Sequence, residues 1–300
     1  MEKKAVIEIK GLSKYYGDVV GVEGLHLKVY PGEIMGFLGP NGAGKTTTIR
    51  TCLDLLQKSK GEVKIFGLDS HKDSLEIRRR TGYLPSDFGM YNDLKVKTIL
   101  KYLLSQSGLS HDGKMLELAK RLDLNIERRY GELSKGNRQK VGMVQAFMAD
   151  QDLIILDEPT TGLDPLMQQK FYDLLREERE NGKTIFMSSH ILAEVEEVCD
   201  RVAIIRNGKL EVVEDISSLK EKMGKKLVVE FENGVDPEIF NIEGVKDVEI
   251  EGRWMTMIVT QNLDQVIKSI SKQNIVNMSL ETFSLDQLFL TYYTSGGNDR

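Results

Sequence analysis

The residues Gly39-Pro40-Asn41-Gly42-Ala43-Gly44-Lys45-Thr46 constrain this chain more than any other stretch. They fit the pattern G-x4-G-K-[ST], in which a glycine-rich turn curls the backbone so that several N–H groups point at one anion. The pattern has physical meaning only between a strand and a helix. Both flanks are present: the apolar run Ile34–Leu38 before it and a helical pattern, Thr46–Leu56, after it. A helix opening here adds the partial positive charge of its N-terminus. In such a loop Lys45 reaches the β- and γ-phosphates of a nucleotide, and the Thr46 hydroxyl ligates Mg²⁺. The alternative is a glycine-rich loop that merely opens a helix, and the strand–helix context weighs against it.

Around this loop the chain alternates between two periods. Val6–Ile9 and Leu25–Val29 read as half-buried strands, and their place before Pro31 predicts an antiparallel addition. Val96–Ser105, Leu166–Arg179 and Leu192–Val198 read as helices; Leu153–Leu156, Lys183–Ser188 and Arg201–Arg206 read as strands. Strand–helix alternation predicts a largely parallel sheet covered by helices. The charged segment Ser217–Lys226 reads as a linker helix. Beyond it come strands at Leu227–Phe231, Val245–Ile250, Met255–Val259 and Val276–Phe283, with helices at Val266–Ile270 and Leu285–Tyr293. The expected division is a first domain over residues 1–219 and a small α+β domain over residues 226–294.

Two further segments suit chemistry. Leu153-Ile154-Ile155-Leu156 ends in Asp157-Glu158, and parallel sheets bind ligands at the carboxyl ends of their strands. Asp157 suits Mg²⁺, through water, and Glu158 suits a general base for an attacking water. The alternative is a solvated acidic strand end. In Leu133-Ser134-Lys135-Gly136-Asn137, Ser134 has the chemistry of an N-cap with an apolar helix face behind it; taken alone, it is only a helix start.

Together the phosphate loop, LSKGN, ILDEPTTGLDP and SSH, in this order, resemble the nucleotide-binding subunit of an ABC transporter over about residues 5–215. The resemblance implies an α/β fold: a P-loop ABC-type ATPase with a largely parallel sheet, antiparallel N-terminal strands and a helical subdomain. It implies ATP held by Gly39, Pro40, Asn41, Gly42, Ala43, Gly44, Lys45, Thr46 and Thr47, with adenine on Tyr16, the favoured one of the neighbours Tyr15 and Tyr16. Mg²⁺ falls to Thr46 and Asp157, and the catalytic roles to Lys45, Glu158 and His190, the last resembling the histidine that contacts the γ-phosphate. LSKGN departs from the family's LSGGQ at Lys135 and Asn137. In that family Ser134 and Gly136 close over the ATP of a second copy, and Gly162-Leu163-Asp164 resembles the D-loop. This implies a homodimer with composite sites and an integral membrane permease as partner. LSKGN and the ending SLDQLFLTYY look most like the ATPases of ABC-2-type exporters. After Gly82-Tyr83-Leu84-Pro85 the family carries Gln, or Glu in some branches, where this chain has Ser86-Asp87. Either Asp87 substitutes at the metal, or the loop serves coupling to the membrane partner only.

Composition narrows the rivals. No apolar run approaches the roughly 20 residues of a membrane span, and the start MEKKAVIEIK has charge where an export signal is apolar. The expected location is therefore cytoplasmic, peripheral on the membrane through the permease. Cys52 and Cys199 make neither a disulfide framework nor a zinc pattern. His26, His71 and His111 read as surface or core residues, and Arg78–Arg80 as a solvated face. The net charge is −5, and residues 220–300 carry 9 basic and 13 acidic side chains. No nucleic-acid partner is expected on this balance. One rival is a soluble ABC-type ATPase acting on nucleic acid or ribosomes; it lacks here the long coiled coil or second cassette usual for that class. A second rival, a module that holds ATP without turnover, sits poorly with Glu158 and His190.

Overall fold

The computed structural model describes residues 4–108, 111–233 and 240–282. The chain divides into two compact units between Glu214 and Asp215. In the first, strand β1 (Ile7–Tyr16) pairs antiparallel with β2 (Val19–Val29), Ile7 opposite Val29 and Ile9 opposite Leu27. The pair is longer than its alternation predicts. Register shifts between Ile9 and Tyr15 interrupt the period while pairing continues to Tyr16 and Val19. Strands β4 (Lys60–Ile65) and β5 (Leu68–Asp69) complete the antiparallel sheet in the order β2-β1-β4-β5.

The second sheet of this unit is built from β3 (Ile34–Leu38), β6 (Thr81–Leu84), β7 (Leu153–Asp157), β8 (Thr184–Ser189), β9 (Arg201–Arg206) and β10 (Lys209–Asp215). Their order is β10-β9-β3-β8-β7-β6, and the pairs from β9 through β6 are parallel. Every residue of β3, β7 and β8 is buried, as expected for strands covered on both faces. Between β9 and β10, Asn207 and Gly208 both take positive φ, the Asn-Gly turn that hairpins favour.

Helix α1 (Lys45–Cys52) lies between the two sheets: Ile49, Cys52 and Leu53 share one core with Ile7, Leu27 and Val63 on one side and Phe37, Ile155 and Phe186 on the other. It stops four residues before the sequence pattern predicts. Asp54 takes φ 54°, and the N–H groups of Leu55 and Leu56 turn back to Arg50 O. After α2 (Ser74–Arg79) come α3 (Val96–Gln106), α4 (Gly113–Arg121) and α5 (Lys135–Phe147), the helical part of the unit. Helices α6 (Pro165–Glu180) and α7 (Leu192–Val198) complete it.

The second unit opens with α8 (Ile216–Met223), where a linker helix is expected, then β11 (Lys225–Phe231), β12 (Val245–Glu251), β13 (Trp254–Val259), α9 (Leu263–Ile270) and β14 (Ile275–Thr282). The strands pair antiparallel in the order β12-β13-β11-β14. Helix α9 thus joins two strands that have β11 between them, a split β-α-β arrangement. Leu227, Val229, Phe231, Phe240, Met255, Met257, Val266 and Ile270 form a core of their own. Phe283 and the helix expected at Leu285–Tyr293 lie outside the described residues.

Gly82 of β6 runs against α5, where an added Cβ would collide with the carbonyl oxygen of Ala146. Gly82→Ala is expected to cost about 1–3 kcal/mol, read as a lower urea midpoint. Gly89→Ala adds its carbon to open space and should leave the midpoint in place. Equal midpoints for the two variants would mean that α5 and β6 are not packed this closely.

Candidate active site

Parallel pairing sets three strand ends level: Leu38 is opposite Ser189, and Asp157 is opposite Ser188. The glycine-rich loop therefore leaves β3 beside Glu158, at the end of β7, and His190, just past β8. Gly42 (φ 79°) and Gly44 (φ 108°) hold the curl of the loop, and a Cβ on Gly44 would lie 2.5 Å from Gly21 O. Only glycine combines that φ with so close an approach. Ala43 N–H closes the turn on Pro40 O at 3.1 Å.

A cleft of about 430 Å³ opens over the loop, lined by Tyr16, Val19, Val20, Gly21, Asn41, Gly42, Gly44, Lys45, Thr46, Thr47, Ser86 and Glu158. Lys45, 5% exposed, donates from Nζ to Gly39 O at 2.6 Å and Pro40 O at 3.1 Å, and pairs with Glu158 Oε1 at 3.1 Å. The other oxygen of that carboxylate, Oε2, lies 2.5 Å from His190 Nδ1. Glu158 thus joins the loop lysine to the histidine beyond the next strand. Its backbone is left-handed, φ 52°, a strained conformation for this residue type. The strain is held from both sides. Glu158 N–H donates to Ser188 O and Ser188 Oγ, and Gln139 Nε2 donates to Glu158 O and to Pro159 O.

Asp157 is fully buried beneath the cleft. Its Oδ1 accepts from Ser188 Oγ at 2.6 Å, and its Oδ2 has no hydrogen-bond partner among the described residues. A buried carboxylate oxygen left over in this way marks a place for a cation or its water shell. No group of three His, Cys, Asp or Glu side chains among the described residues could hold a metal. Mg²⁺ needs no such cage, because it takes one or two protein oxygens and completes its shell with phosphate and water. Asp157 and the Thr46 hydroxyl fit that donor set.

Of the two neighbouring tyrosines, Tyr16 lines the cleft and its hydroxyl lies 3.4 Å from Thr47 Oγ1. Tyr15 turns away, donating to Glu23 and sitting under Lys60. Three of the residues singled out in the sequence stand elsewhere. Ser134 caps α5 by accepting from Asn137 N–H, Asp164 caps α6 by accepting from Met167 N–H, and Gly136 packs so closely on Gly162 that a Cβ would lie 2.6 Å from Gly162 O. None of the three is among the described residues that line the cleft. Sequence reasoning missed Val19, Val20 and Gly21, which line the cleft. It gave no role to Ser188 or Gln139, whose parts depend on long-range neighbours. Ser86 lines the cleft and Asp87 is exposed outside it.

A second depression in this unit, about 310 Å³, is mostly apolar. Leu53, Leu55, Tyr83, Pro85, Phe88, Met90 and Leu103 line it together with the polar Arg78, Thr81 and Gln145. Tyr83 and Pro85 immediately precede Ser86, so the depression and the cleft share one short segment. No helix among the described residues is long and apolar enough to cross a membrane.

The sequence pattern of the ABC transporter family matches residues 22–161. The bacitracin transport ATP-binding protein BcrA of Bacillus licheniformis is 37% identical over 225 residues, 74% of this chain and 74% of that protein. The Nod factor export ATP-binding protein I of Burkholderia orbicola is 35% identical over 211 residues, 68% of this chain and 69% of that protein. A solved structure of an ATP binding subunit of an ABC transporter superposes with a TM-score of 0.68 at 30% identity, covering 72% of this chain and 92% of the other. Cleft, strand-end carboxylates and these likenesses converge: the chain belongs to the ATP-binding subunits of ABC transporters and is an ATPase of that type.

Proposed function

We propose that the chain powers export of a substrate through a separate membrane permease, by hydrolysing ATP in sites shared between two copies of itself. The observation that carries this reading is the convergence of Tyr16, the loop lysine, Glu158 and Ser86 on one cleft, with His190 joined to Glu158. Adenine stacks on Tyr16. The phosphates lie in the loop from Gly39 to Thr47, where backbone N–H groups, the start of α1 and Lys45 offset their charge. Thr46 and Asp157 hold Mg²⁺, which when bound neutralises charge building on the β- and γ-phosphates. Glu158 Oε accepts the proton of a water whose oxygen bonds to the γ-phosphorus, while the bond from that phosphorus to the bridging oxygen breaks and ADP leaves. His190 steadies the γ-phosphate oxygens. Lys45 and His190 both contact the Glu158 carboxylate, which supports the assignment of all three to one reaction.

Ser134, Gly136 and Asp164 stand outside their own cleft, and this supports their use across a two-fold dimer, where the start of α5 faces the γ-phosphate held by the other copy. The apolar depression beside Tyr83 and Pro85 suits an intracellular segment of the permease, and Ser86 links that contact to the cleft. The role of the Burkholderia orbicola relative in Nod factor export supports the export direction. This reading sets the chain on the cytoplasmic face of the membrane, held there by its permease. The second unit, with its own core, serves as an accessory domain.

Three outcomes follow. Glu158→Gln is expected to bind ATP but lose about 10²–10⁴-fold in turnover, and Lys45→Ala to lose binding or turnover; equal steady-state rates for wild type and Glu158→Gln would remove Glu158 from its role. Lys45→Ala and Ser134→Arg homodimers should each be inactive. Their equimolar mixture should recover up to about a quarter of wild-type ATPase, since about half the dimers carry one whole site; no recovered activity and no ATP-induced heterodimer, with both variants folded, would refute the shared site. Asp87→Ala should spare most ATPase of the isolated subunit and lower transport in the assembled complex more steeply. Loss of ATPase in the isolated, folded variant would instead assign Asp87 to the metal.

A further inference from the structure

The Glu158–His190 contact joins two segments that leave different strands, and one buried side chain ties both segments together. Glu194, in the first turn of α7, is 4% exposed. Its Oε1 accepts from Thr160 Oγ1, two residues past Glu158. Its Oε2 accepts from Ser189 Oγ at 2.7 Å, one residue before His190. Ser189 Oγ also accepts from Ile191 N–H at 2.9 Å, so the turn that carries His190 closes around the same hydroxyl. Tyr172 of α6 faces the carboxylate as well; burial and the Glu194 charge together push its phenol up. Among the described residues Glu194 forms no ion pair, so hydroxyl groups alone satisfy a buried carboxylate. Such a group is costly unless every acceptor is used.

We infer that Glu194 is a positioning residue for hydrolysis. It clamps the Thr160 segment to the Ser189 segment, and so presets Glu158 and His190 at the spacing the γ-phosphate and its water require. It touches neither nucleotide nor water. The inference rests on the catalytic roles proposed above for Glu158 and His190. Its physical basis is that small errors in the spacing of reacting groups cost rate far more than binding. The phosphate loop and Tyr16, which hold most of the nucleotide, share no hydrogen bond with Glu194.

The test uses the full chain. Glu194→Gln keeps the shape but offers an N–H₂ donor where one hydroxyl needs an acceptor. The expected result is a fall in kcat of about 10–100-fold, with the Kd for a fluorescent ATP analogue within about threefold of wild type. In a His190→Ala background, single-turnover hydrolysis should fall by less than about twofold further on adding Glu194→Gln, because the preset pair is already gone. A merely structural weakening would instead multiply the two losses. If Glu194→Gln does not fold by circular dichroism, Thr160→Val and Ser189→Ala, each removing one arm of the clamp, carry the same expectations. Wild-type kcat, loss of ATP binding in step with kcat, or full multiplication in the His190→Ala background would overturn the clamp. Unchanged turnover in Glu158→Gln and His190→Ala would strike the catalytic assignment itself, a result distinct from a failure confined to Glu194.

Discussion

The level alignment of β3, β7 and β8 is the constraint on which the rest of the first unit depends. Each parallel pair contributes evenly spaced hydrogen bonds, and the register puts Leu38 beside Ser189 and Asp157 beside Ser188. A shift of one residue in either pair would turn each strand's side chains to the other face. It would also separate the phosphate loop from Glu158 by a strand step. All three strands are buried on both faces, so a slipped pairing would bring side chains of different size against the elements packed there and disturb a close-packed interior. Helices α5 to α7 can then approach only where small residues permit, as at Gly36, whose missing Cβ leaves room for Val195 and Cys199 of the α7 side.

On that scaffold the polar groups form two connected layers. The upper layer joins Lys45, Glu158 and His190 in contact around the mouth of the loop. The lower layer is mostly hydroxyls and carboxylates: Ser188 on Asp157, and Ser189 and Thr160 on Glu194. In the lower layer Asp157 and Glu194 are held by hydroxyl donors, whereas Glu158 in the upper layer pairs with Lys45. The strained φ of Glu158 is affordable only because Ser188 and Gln139 fix its backbone from opposite sides. Gln139 belongs to α5, the helix that Ser134 caps, so hydrogen bonds join that helix to the Glu158 backbone.

The second unit shows the same economy of a small core. Helix α9 covers one face of its sheet through Val266 and Ile270, and Met255, Met257 and Phe231 fill the space between.

How much of this was legible beforehand depends on the range over which each feature is decided. The phosphate loop, the Asp157-Glu158 strand end and the N-cap at Ser134 are local: a few adjacent residues set the φ angles, the donors and the periodicity, so sequence by itself determined them. The core strands β3, β7, β8 and β9 were equally plain, because burial on both faces demands a run of apolar residues, as in Ile34–Leu38, Leu153–Leu156 and the centres of β8 and β9. The Asn207-Gly208 hairpin also has a local signal, the two turn residues between strand-like runs. Strands β4 and β6 did not, since Lys60-Gly61-Glu62 and Thr81-Gly82 lack a period and are strands only because β1 and β7 offer them partners. The choice of Tyr16 over Tyr15, the place of Ser86 on the cleft, and the ties made by Ser188, Gln139 and Glu194 were decided by the tertiary structure. Apart from Glu194's short reach to Ser189, five positions away, each joins residues 19 or more positions apart or depends on which face of a strand looks into the cleft, and such pairings exist only once separate segments have packed.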